Sequence, residues 1–382
     1  MAAALKRTKL FDFHVGKKAK IVPFAGWEMP VQYPMGVFAE HLHTREKAGL
    51  FDVSHMCQLR FYGKDHVKFL EWASPADIQE LPTGKGRLSV LLDDEGGVID
   101  DCIFNRYADH IYAVVNAGCA DKDLARFREL LGKFKGDVTM NVEEGKSLVA
   151  LQGPLAAAVL SRYVADLPKL DFLYGRDASI KGMPVHIQRC GYTGEDGFEI
   201  SMDHANATAI ADLLCSNSEV ACIGLGARDS LRLEAGLCLY GHELSQTMDG
   251  KPFTPIHAGL SWLITKRRME QGGFIGHTHV QACYKNMKSD MVPVRRVGIK
   301  SSGSCAREGA VISAVDGAKA AIGHVTSGCP SPSAGGNVAQ AYVKREFAAA
   351  GTKVTLNVRG RNVEGEVVKM PFVATRYYKA AK

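Results

Sequence analysis

The sequence predicts an α+β protein whose C-terminal part is built from β-strands alone. Its 382 residues are 46% hydrophobic and 23% charged, which is the composition of a globular protein with enough chain for two or three domains. Strand-like and helix-like runs alternate between residues 58 and 141. Residues 294–372 are short β-type runs separated by Gly, Ser, Asn and Pro, which is typical of a small barrel or jelly roll.

The individual elements follow from local patterns along the chain. The first 55 residues are rich in aromatic and turn residues and contain one helix-like run. A strand that begins at Ser147 is expected to end at Gly153-Pro154, where an apolar helix takes over as far as Leu160. We expect strands over 58–62, 88–92, 98–107, 111–116 and 138–142, a hairpin over 183–202, and helices over 36–48, 66–73, 121–134, 205–214 and 227–235.

Composition also excludes several classes of protein. A formal net charge of +6 spread over the whole chain does not indicate a dedicated nucleic-acid-binding protein. No apolar run approaches the roughly 18–20 residues of a membrane-spanning helix. The ten cysteines include no C-x-x-C pair, which favours a reducing compartment. Residues 1–20 hold six Lys or Arg and one acidic residue, and they are either the stub of an organelle presequence or a basic leader.

Two segments begin like known motifs but lack a required residue. His242-Glu243 opens like a zinc-protease helix, but Gln246 stands where the second histidine should be. The stretch from Gly224 to Asp229 opens like a dinucleotide fingerprint, but Asp229 replaces its third glycine. The remaining histidine pairs are expected to be surface or packing residues: His41, His43, His277 and His279. The sequence therefore predicts no metal site and no NAD or FAD site.

The two adjacent carboxylates Asp100 and Asp101 interrupt an apolar run that otherwise reads as a strand. A buried, unpaired charge is costly, so these aspartates need a structural or functional reason. Successive side chains of a strand point to opposite faces, so both cannot serve one site as a paired acid and base. We expect one to be functional and the other structural; the alternative is that both bind backbone amides at a strand end or bulge.

Glu199 and Arg228 are the other candidates for a binding site. The stretch Gly191–Ile200 predicts a hairpin with its turn at Gly194–Gly197, which places Glu199 on the returning strand. A carboxylate fixed there can accept two parallel N–H donors, from a heterocycle or from an arginine. Arg228 follows a glycine turn at the start of a helix and is suited to an anion, or else it pairs with structural carboxylates beside Arg232.

Taken together, the chain resembles the aminomethyltransferase family of the glycine cleavage system, the T-protein family. The matching stretches are Phe24–Pro30, Phe51–Met56, Gly96–Asp101, Val114–Ala117, Ala150–Pro154, Gly191–Glu199, Gly224–Gly241, Gly259–Trp262, Thr326–Ser333 and Lys369–Phe372. The resemblance implies a three-domain cloverleaf around a central folate channel, with a C-terminal β-barrel. Its implied domains are 1–55 with 148–245, 56–147 with 246–287, and 288–382.

The resemblance also implies a reaction and its participants. Tetrahydrofolate would accept the methylene carbon of an aminomethyl group carried on the lipoyl arm of the H-protein, releasing ammonia, methylenetetrahydrofolate and the dihydrolipoyl protein. The lipoyl group belongs to the partner, and the mild positive charge of this chain suits an acidic H-protein. The expected location is the mitochondrial matrix, with a bacterial cytoplasm as the alternative.

Residue roles carry over from the resemblance position by position. Asp101 would position and polarise nitrogen 5 of the folate and stabilise the developing iminium charge, while Asp100 faces away. Glu199 would anchor the pteridine ring. The other expected folate contacts are Asn116 and Tyr192 in the pteridine pocket, Met56 and Leu88 as apolar walls, Arg228 and Tyr377 at the benzoylglutamate tail, and Trp262 along the channel or in structural packing. Leu88 and Leu237 replace tyrosines of some bacterial relatives.

Two other functions share this fold. A folate-dependent demethylating module would need an attached flavin domain, for which the fingerprint is missing. A folate-binding accessory protein of iron–sulfur assembly would carry a distinctive cysteine motif, but the corresponding stretch, Gln271–Gly276, has no cysteine. The aminomethyltransferase is therefore the favoured function.

Overall fold

The computed structural model describes residues 4–315 and 320–379. Its β-strands fall into four sheets and a closed barrel. In chain order they are β1 Lys6–Arg7, β2 Lys20–Phe24, β3 Trp27–Gln32, β4 Ala48–Asp52, β5 Cys57–Tyr62, β6 Gly86–Leu92, β7 Val98–Arg106, β8 His110–Val115, β9 Thr139–Val142, β10 Lys146–Gln152, β11 Gly175–Ile180, β12 Met183–Gln188, β13 Gly197–Asp203, β14 Val220–Cys222, β15 Thr247–Met248, β16 Lys251–Pro252, β17 Val294–Ser301, β18 Val311–Ala314, β19 Ala321–Pro330, β20 Asn337–Lys344, β21 Lys353–Val358 and β22 Arg361–Val368.

The helices are short and lie mainly between strands of the first two thirds of the chain. They are α1 Phe11–Gly16, α2 Val37–Glu46, α3 His66–Ala73, α4 Ala120–Lys133, α5 Ala156–Leu160, α6 Ala207–Cys215, α7 Leu225–Glu234, α8 Lys266–Gln271 and α9 His277–Lys285. No helix in the described ranges is both long enough and apolar enough to cross a membrane.

A six-stranded sheet organises the first large core. Its strand order is β11-β12-β13-β10-β4-β14, antiparallel except where β14 joins β4. One face is covered by apolar residues of α5 and α6, among them Val159, Leu160 and Leu214, which pack on Val149 and Ile200 of the central strands. On the other face, Phe51 of β4, Ala150 of β10 and Ile223, which follows β14, form a second cluster with α7.

A five-stranded antiparallel sheet, in the order β6-β7-β8-β5-β9, organises the second core. On one face, Phe61 of β5 packs against Phe69 of α3 and Phe127 of α4. Val90 and Val98 contribute to a separate cluster with the segment 244–292. The sheet is therefore covered by segments that are far apart in the sequence.

The C-terminal part is a closed six-stranded barrel in the order β17-β20-β19-β18-β21-β22, which confirms the predicted barrel. Alternate residues of its strands, such as Ile299, Ala341 and Leu356, fill the interior. After β22 the chain returns to the six-stranded sheet, where the Arg376 N–H donates to the Gly194 carbonyl at 2.7 Å.

The structure corrects two details of the sequence interpretation. The hairpin of β12 and β13 is present, with Gln188 opposite Glu199. Its turn is not Gly194–Gly197, because Gly197 already begins β13 and the connection spans Arg189 to Asp196. That longer loop is held by Arg189, which is buried and donates to Asp196 at 2.9 and 2.6 Å. Helices α8 and α9 were not predicted individually.

Candidate active site

A cavity of about 730 Å³ lies where the two large sheets, the segment 236–263 and the C-terminal segment meet. All nine residues that the sequence nominates as catalytic or folate-binding line this one cavity: Met56, Leu88, Asp101, Asn116, Tyr192, Glu199, Arg228, Trp262 and Tyr377. A volume of this size is within the usual range for a cofactor or small-molecule site. The structure thus brings together residues that are up to 321 positions apart.

Asp101 is aimed into the cavity by the alternation of β7. It lies opposite Val90 of β6, and its carboxylate accepts a hydrogen bond from Asn116 Nδ2 at 3.1 Å. Asp100, its neighbour, is fully buried on the other face and does not line the cavity. Asp100 instead accepts the Asn116 backbone N–H and its Nδ2–H, both at 2.9 Å. One aspartate thus faces the cavity and the other fixes the end of β8. Asp100 binds a backbone amide, as the alternative predicts for both aspartates, whereas Asp101 lines the cavity and is held by the Asn116 side chain.

A third aspartate lies behind this pair. Asp123 of α4 is fully buried, and neither of its oxygens has a hydrogen-bond donor among the described residues. Its carboxyl contacts that of Asp100, and such a contact is favourable only when one of the two acids keeps its proton. Burial and the Asp100 charge raise the pKa of Asp123 to about 10. We therefore assign the proton to Asp123.

The environment also sets the charge of Asp101. Burial and the neighbouring Asp100 carboxylate raise the pKa of Asp101 to about 7, while the Asn116 hydrogen bond opposes the shift. Asp101 is consequently close to half ionised near neutral pH. A carboxyl poised in this way can accept a proton or stabilise a positive charge in the cavity.

Glu199 and Arg228 bring two further charged side chains to the cavity that Asp101 lines. Glu199 projects from β13 in the middle of the six-stranded sheet, and Arg228 projects from the first turns of α7. Burial raises the pKa of Glu199 and lowers that of Arg228, and their opposite charges partly offset both shifts. The Arg228 guanidinium lies 4.6 Å from the centre of the Tyr192 ring, a cation–π contact. Among the described residues Arg228 makes no ion pair within 4 Å, whereas Arg232 pairs with Asp229 and Glu243.

The mouth of the cavity is aromatic. Tyr377 stacks on Phe172 with ring centres 4.6 Å apart and an interplanar angle of 28°. Trp262 is 65% exposed, which argues against a structural packing role and places its ring at the rim. These side chains offer flat apolar surfaces to a ligand that enters from solvent.

A buried ion-pair network fixes the segment that carries Tyr377. Glu195 accepts hydrogen bonds from Arg45 Nη1 at 2.7 Å and from Arg376 Nε and Nη2 at 2.7 and 2.8 Å. Arg45 also pairs with Glu234 of α7 at 2.8 Å. A Cβ at Gly191 in the adjacent loop would displace the Gln152 side-chain amide, which donates to the Cys190 carbonyl at 2.9 Å and accepts from Thr193 Oγ1 at 3.0 Å. The loop, α7 and the C-terminal segment are thereby held in one arrangement.

Sequence reasoning missed several side chains that line the cavity, of which His55 is the most informative. It is 6% exposed, packs edge-on against Phe24 at 5.8 Å, and its Nδ1 has no partner among the described residues. Burial and the Arg228 charge lower the pKa of His55 to about 4, so the imidazole is neutral at pH 7. Its position directly before Met56, inside a stretch shared with the resembling family, is the signal that could have identified it.

No metal centre is formed by the described part of the chain. Residues 4–315 and 320–379 contain no group of three or more His, Cys, Asp or Glu side chains that could hold a metal ion. His41 is instead buried between Ser230 Oγ at 2.7 Å and Glu234 at 3.1 Å. The incomplete zinc-protease motif begins with His242 and Glu243. Glu243 forms a buried ion pair with Arg232 at 2.6 Å and therefore has a structural role.

Comparison with protein families matches almost the whole chain. The model of the GCVT N-terminal domain covers residues 10–268, and that of the glycine cleavage T-protein C-terminal barrel domain covers residues 295–374. The second match coincides with the six-stranded barrel, whose strands span Val294 to Val368.

Individual relatives agree with the family models. Mitochondrial aminomethyltransferases are 47% identical in Dictyostelium discoideum, covering 98% of this chain and 94% of the relative, and 44% identical in Gallus gallus, with the same coverage. The crystal structure of the glycine cleavage system aminomethyltransferase T from Bartonella henselae superposes with a TM-score of 0.90 at 41% identity, covering 98% of this chain and 100% of that one. This chain therefore belongs to the aminomethyltransferase (glycine cleavage T-protein) family.

Proposed function

We propose that the cavity binds tetrahydrofolate and that the chain transfers to it the methylene carbon of an aminomethyl group carried on the lipoyl arm of an H-protein. Ammonia leaves, and 5,10-methylenetetrahydrofolate and the dihydrolipoyl protein are the products. The observation that carries the proposal is the convergence of Asp101, Glu199 and Arg228 on one cavity of about 730 Å³. Membership of the aminomethyltransferase family supports the same reaction.

Asp101 is the proposed catalytic residue. Its carboxylate projects into the cavity and is oriented by Asn116 at 3.1 Å. When ionised, it can hold the folate N5–H for attack and stabilise the cationic iminium that develops as ammonia departs. A pKa near 7 keeps enough of the ionised form present at neutral pH for this role.

The remaining residues are proposed to bind and orient folate. The Glu199 carboxyl makes no ion pair with Arg228 within 4 Å among the described residues, and its side-chain partner is the Cys190 thiol. Its remaining acceptor positions are proposed to take the paired N–H donors of a 2-amino-4-oxo pteridine. Met56 and Leu88 provide apolar walls, with Asn116 and Tyr192 beside the pteridine. Arg228 and Tyr377 are proposed to hold the benzoylglutamate tail near the rim formed by Trp262.

The proposed partner is the lipoylated H-protein, and the proposed location is the mitochondrial matrix. The relatives in Dictyostelium discoideum and Gallus gallus are named mitochondrial. The ten cysteines are all unpaired by disulfides, which suits a reducing compartment. A net charge of +6 suits an acidic protein partner through electrostatic complementarity.

The direct test measures methylenetetrahydrofolate formed from tetrahydrofolate and aminomethyl-loaded H-protein, in wild type and in Glu199→Gln. We expect wild type to turn over, and Glu199→Gln to bind folate about ten- to a hundredfold more weakly, because a buried charge-assisted hydrogen bond contributes about 1.5–3 kcal/mol. Wild type that binds folate but forms no product with any loaded H-protein would contradict the transferase and favour the accessory-protein alternative.

A further inference from the structure

Outside the folate cavity, the structure brings two cysteine thiols into contact. Cys215 Sγ and Cys222 Sγ lie 3.3 Å apart, and both side chains are half-buried. Cys215 is the last residue of α6 and Cys222 is the last residue of β14, the edge strand of the six-stranded sheet. Nothing in the proposed transfer reaction uses either thiol.

The backbone between the two thiols is held by its own hydrogen bonds. The Val220 N–H donates to the Asn217 carbonyl at 2.9 Å, and Asn217 Nδ2 donates to the Leu213 and Leu214 carbonyls at 3.1 and 2.9 Å. This turn fixes the end of α6 against the start of β14. An S–S bond is about 2.05 Å long, so a covalent link needs the sulfur atoms to approach by only about 1.2 Å.

The pair is also accessible to a small reagent. Both cysteines line a surface cavity of about 260 Å³, together with Lys17 and Met35. The Lys17 side chain is 44% exposed and Met35 is 46% exposed, so the cavity opens to solvent. The Cys215 S–H donor and the Lys17 charge lower the pKa of the Cys222 thiol, against the effects of burial and of the Glu40 and Asp212 carboxylates. Lys17 also lies 3.7 Å from Asp212, so the Cys215 contact is the main cause of the lowered pKa. Such surroundings favour a reactive thiolate.

We propose that Cys215 and Cys222 are a dithiol site at which hydroperoxides form a reversible intramolecular disulfide. The Cys222 thiolate attacks one oxygen of hydrogen peroxide, so that an S–O bond forms, the O–O bond breaks and hydroxide leaves. The Cys215 sulfur then attacks the sulfenic sulfur, the S–S bond forms and the S–O bond breaks, releasing a second hydroxide. The two thiol protons convert both hydroxides to water, and two electrons pass from the thiols to the peroxide.

The test uses the full-length reduced chain, exposed to hydrogen peroxide and then alkylated at acidic pH. A protease that cleaves after glutamate cuts at Glu219 and separates residues 200–219 from residues 220–234, each with one cysteine. We expect these two peptides to be joined, with a mass two hydrogens below their sum, and to separate on treatment with dithiothreitol. Cys57 is the internal control, because it is half-buried and burial raises the pKa of its thiol to about 11. We expect the free thiol of Cys57 to be oxidised at least about tenfold more slowly than those of Cys215 and Cys222.

Two variants make the order of events testable. In Cys215→Ser the joined peptide should disappear and Cys222 should accumulate a sulfenic acid that dimedone traps. In Cys222→Ser the joined peptide cannot form, and the remaining Cys215 thiol should be oxidised no faster than Cys57. The proposal is overturned if wild type gives no joined peptide while Cys57 is being oxidised, if Cys222 links to another cysteine, or if its oxidation is no faster than that of Cys57.

Discussion

At the scale of single residues, the three aspartates around Asn116 have three different environments. Asp101 lines the cavity. Asp100 accepts hydrogen bonds from the backbone N–H and the side-chain amide of Asn116. Asp123 is buried and has no hydrogen-bond donor among the described residues. Strand alternation was sufficient to predict that Asp100 and Asp101 face opposite ways. Asp123 could not be predicted, because its charge state depends on contact between a helix and a strand that the sequence does not specify.

The first prediction concerns the pH dependence of transfer. Asp100→Asn removes the charge that helps to raise the pKa of Asp101 to about 7, so the pKa of Asp101 should fall. If the ionised carboxylate is the active form, the acid limb of kcat/KM lies near pH 7 in wild type and moves to lower pH in Asp100→Asn. A pH profile of methylenetetrahydrofolate formation measures this, and an unchanged limb would contradict the assigned charge coupling.

The second prediction concerns stability at Asp123. Its folded-state pKa of about 10 exceeds the pKa of about 4 of an unperturbed aspartate, so between these values the unfolded chain releases a proton that the folded chain retains. The free energy of unfolding therefore falls as pH rises from about 4 to about 10, by up to about 1.4 kcal/mol per pH unit from this group.

The Asp123→Asn side chain can still donate an N–H to Asp100, but it does not titrate between pH 4 and pH 10. We expect its free energy of unfolding, relative to wild type, to increase between pH 6 and pH 9 in urea titrations. Asp121→Asn, at an exposed position of the same helix, is the matched control and should leave the difference constant. If the free energy of unfolding changes with pH in the same way in wild type and in Asp123→Asn, then Asp123 is ionised in the folded state and the assignment is wrong.

At the scale of elements, the loop between β12 and β13 positions much of the cavity. The sequence predicted the hairpin, but not that its loop is fastened by Glu195 to Arg45 and Arg376, which are 150 and 181 residues away. The turn residues around Glu195 predict the local backbone conformation, but they do not indicate ion-pair partners that lie so far away in the sequence. The helices α8 and α9 escaped individual prediction because the six residues of α8 span less than two turns, and α9 opens with His277, Thr278 and His279, which are weak helix formers.

The third prediction separates the structural and binding contributions of this network. Glu195→Gln leaves the buried Arg45 with one carboxylate fewer and should lower the free energy of unfolding by about 3 kcal/mol. Arg376→Gln removes a side chain that is 52% exposed and should cost less than about 1 kcal/mol. Both changes loosen the segment that carries Tyr377, so both should raise the KM for tetrahydrofolate while kcat changes little. Equal losses of stability in the two variants would contradict the network as described.

At the scale of the whole molecule, the cavity lies at the junction of the parts of the chain. The C-terminal barrel was predictable because its short β-runs and turn residues are a local signal. The division into 1–55 with 148–245, 56–147 with 246–287, and 288–382 remains a proposal, supported by separate hydrophobic clusters around each large sheet and inside the barrel. The shape of the cavity was not predictable from the residues alone, because it depends on how these clusters pack.

The fourth prediction follows from that position. A folate that contacts the five-stranded sheet, α7 and the C-terminal segment should stabilise the whole chain on binding. At a hundredfold excess over Kd the gain is about 2.7 kcal/mol, measurable with 5-formyltetrahydrofolate as a rise in Tm. Glu199→Gln should show a much smaller rise at the same ligand concentration. An equal rise in both would place the folate outside this cavity.

The most direct test of the central claim compares wild type with Asp101→Asn for folate binding and for methylenetetrahydrofolate formation from aminomethyl-loaded H-protein. We predict that Asp101→Asn binds tetrahydrofolate within a few-fold of wild type but forms product at least about a hundredfold more slowly, in line with the loss of a positioned acid–base group. Transfer at the wild-type rate in Asp101→Asn, with folate still bound, would contradict the assignment of Asp101 as the catalytic residue.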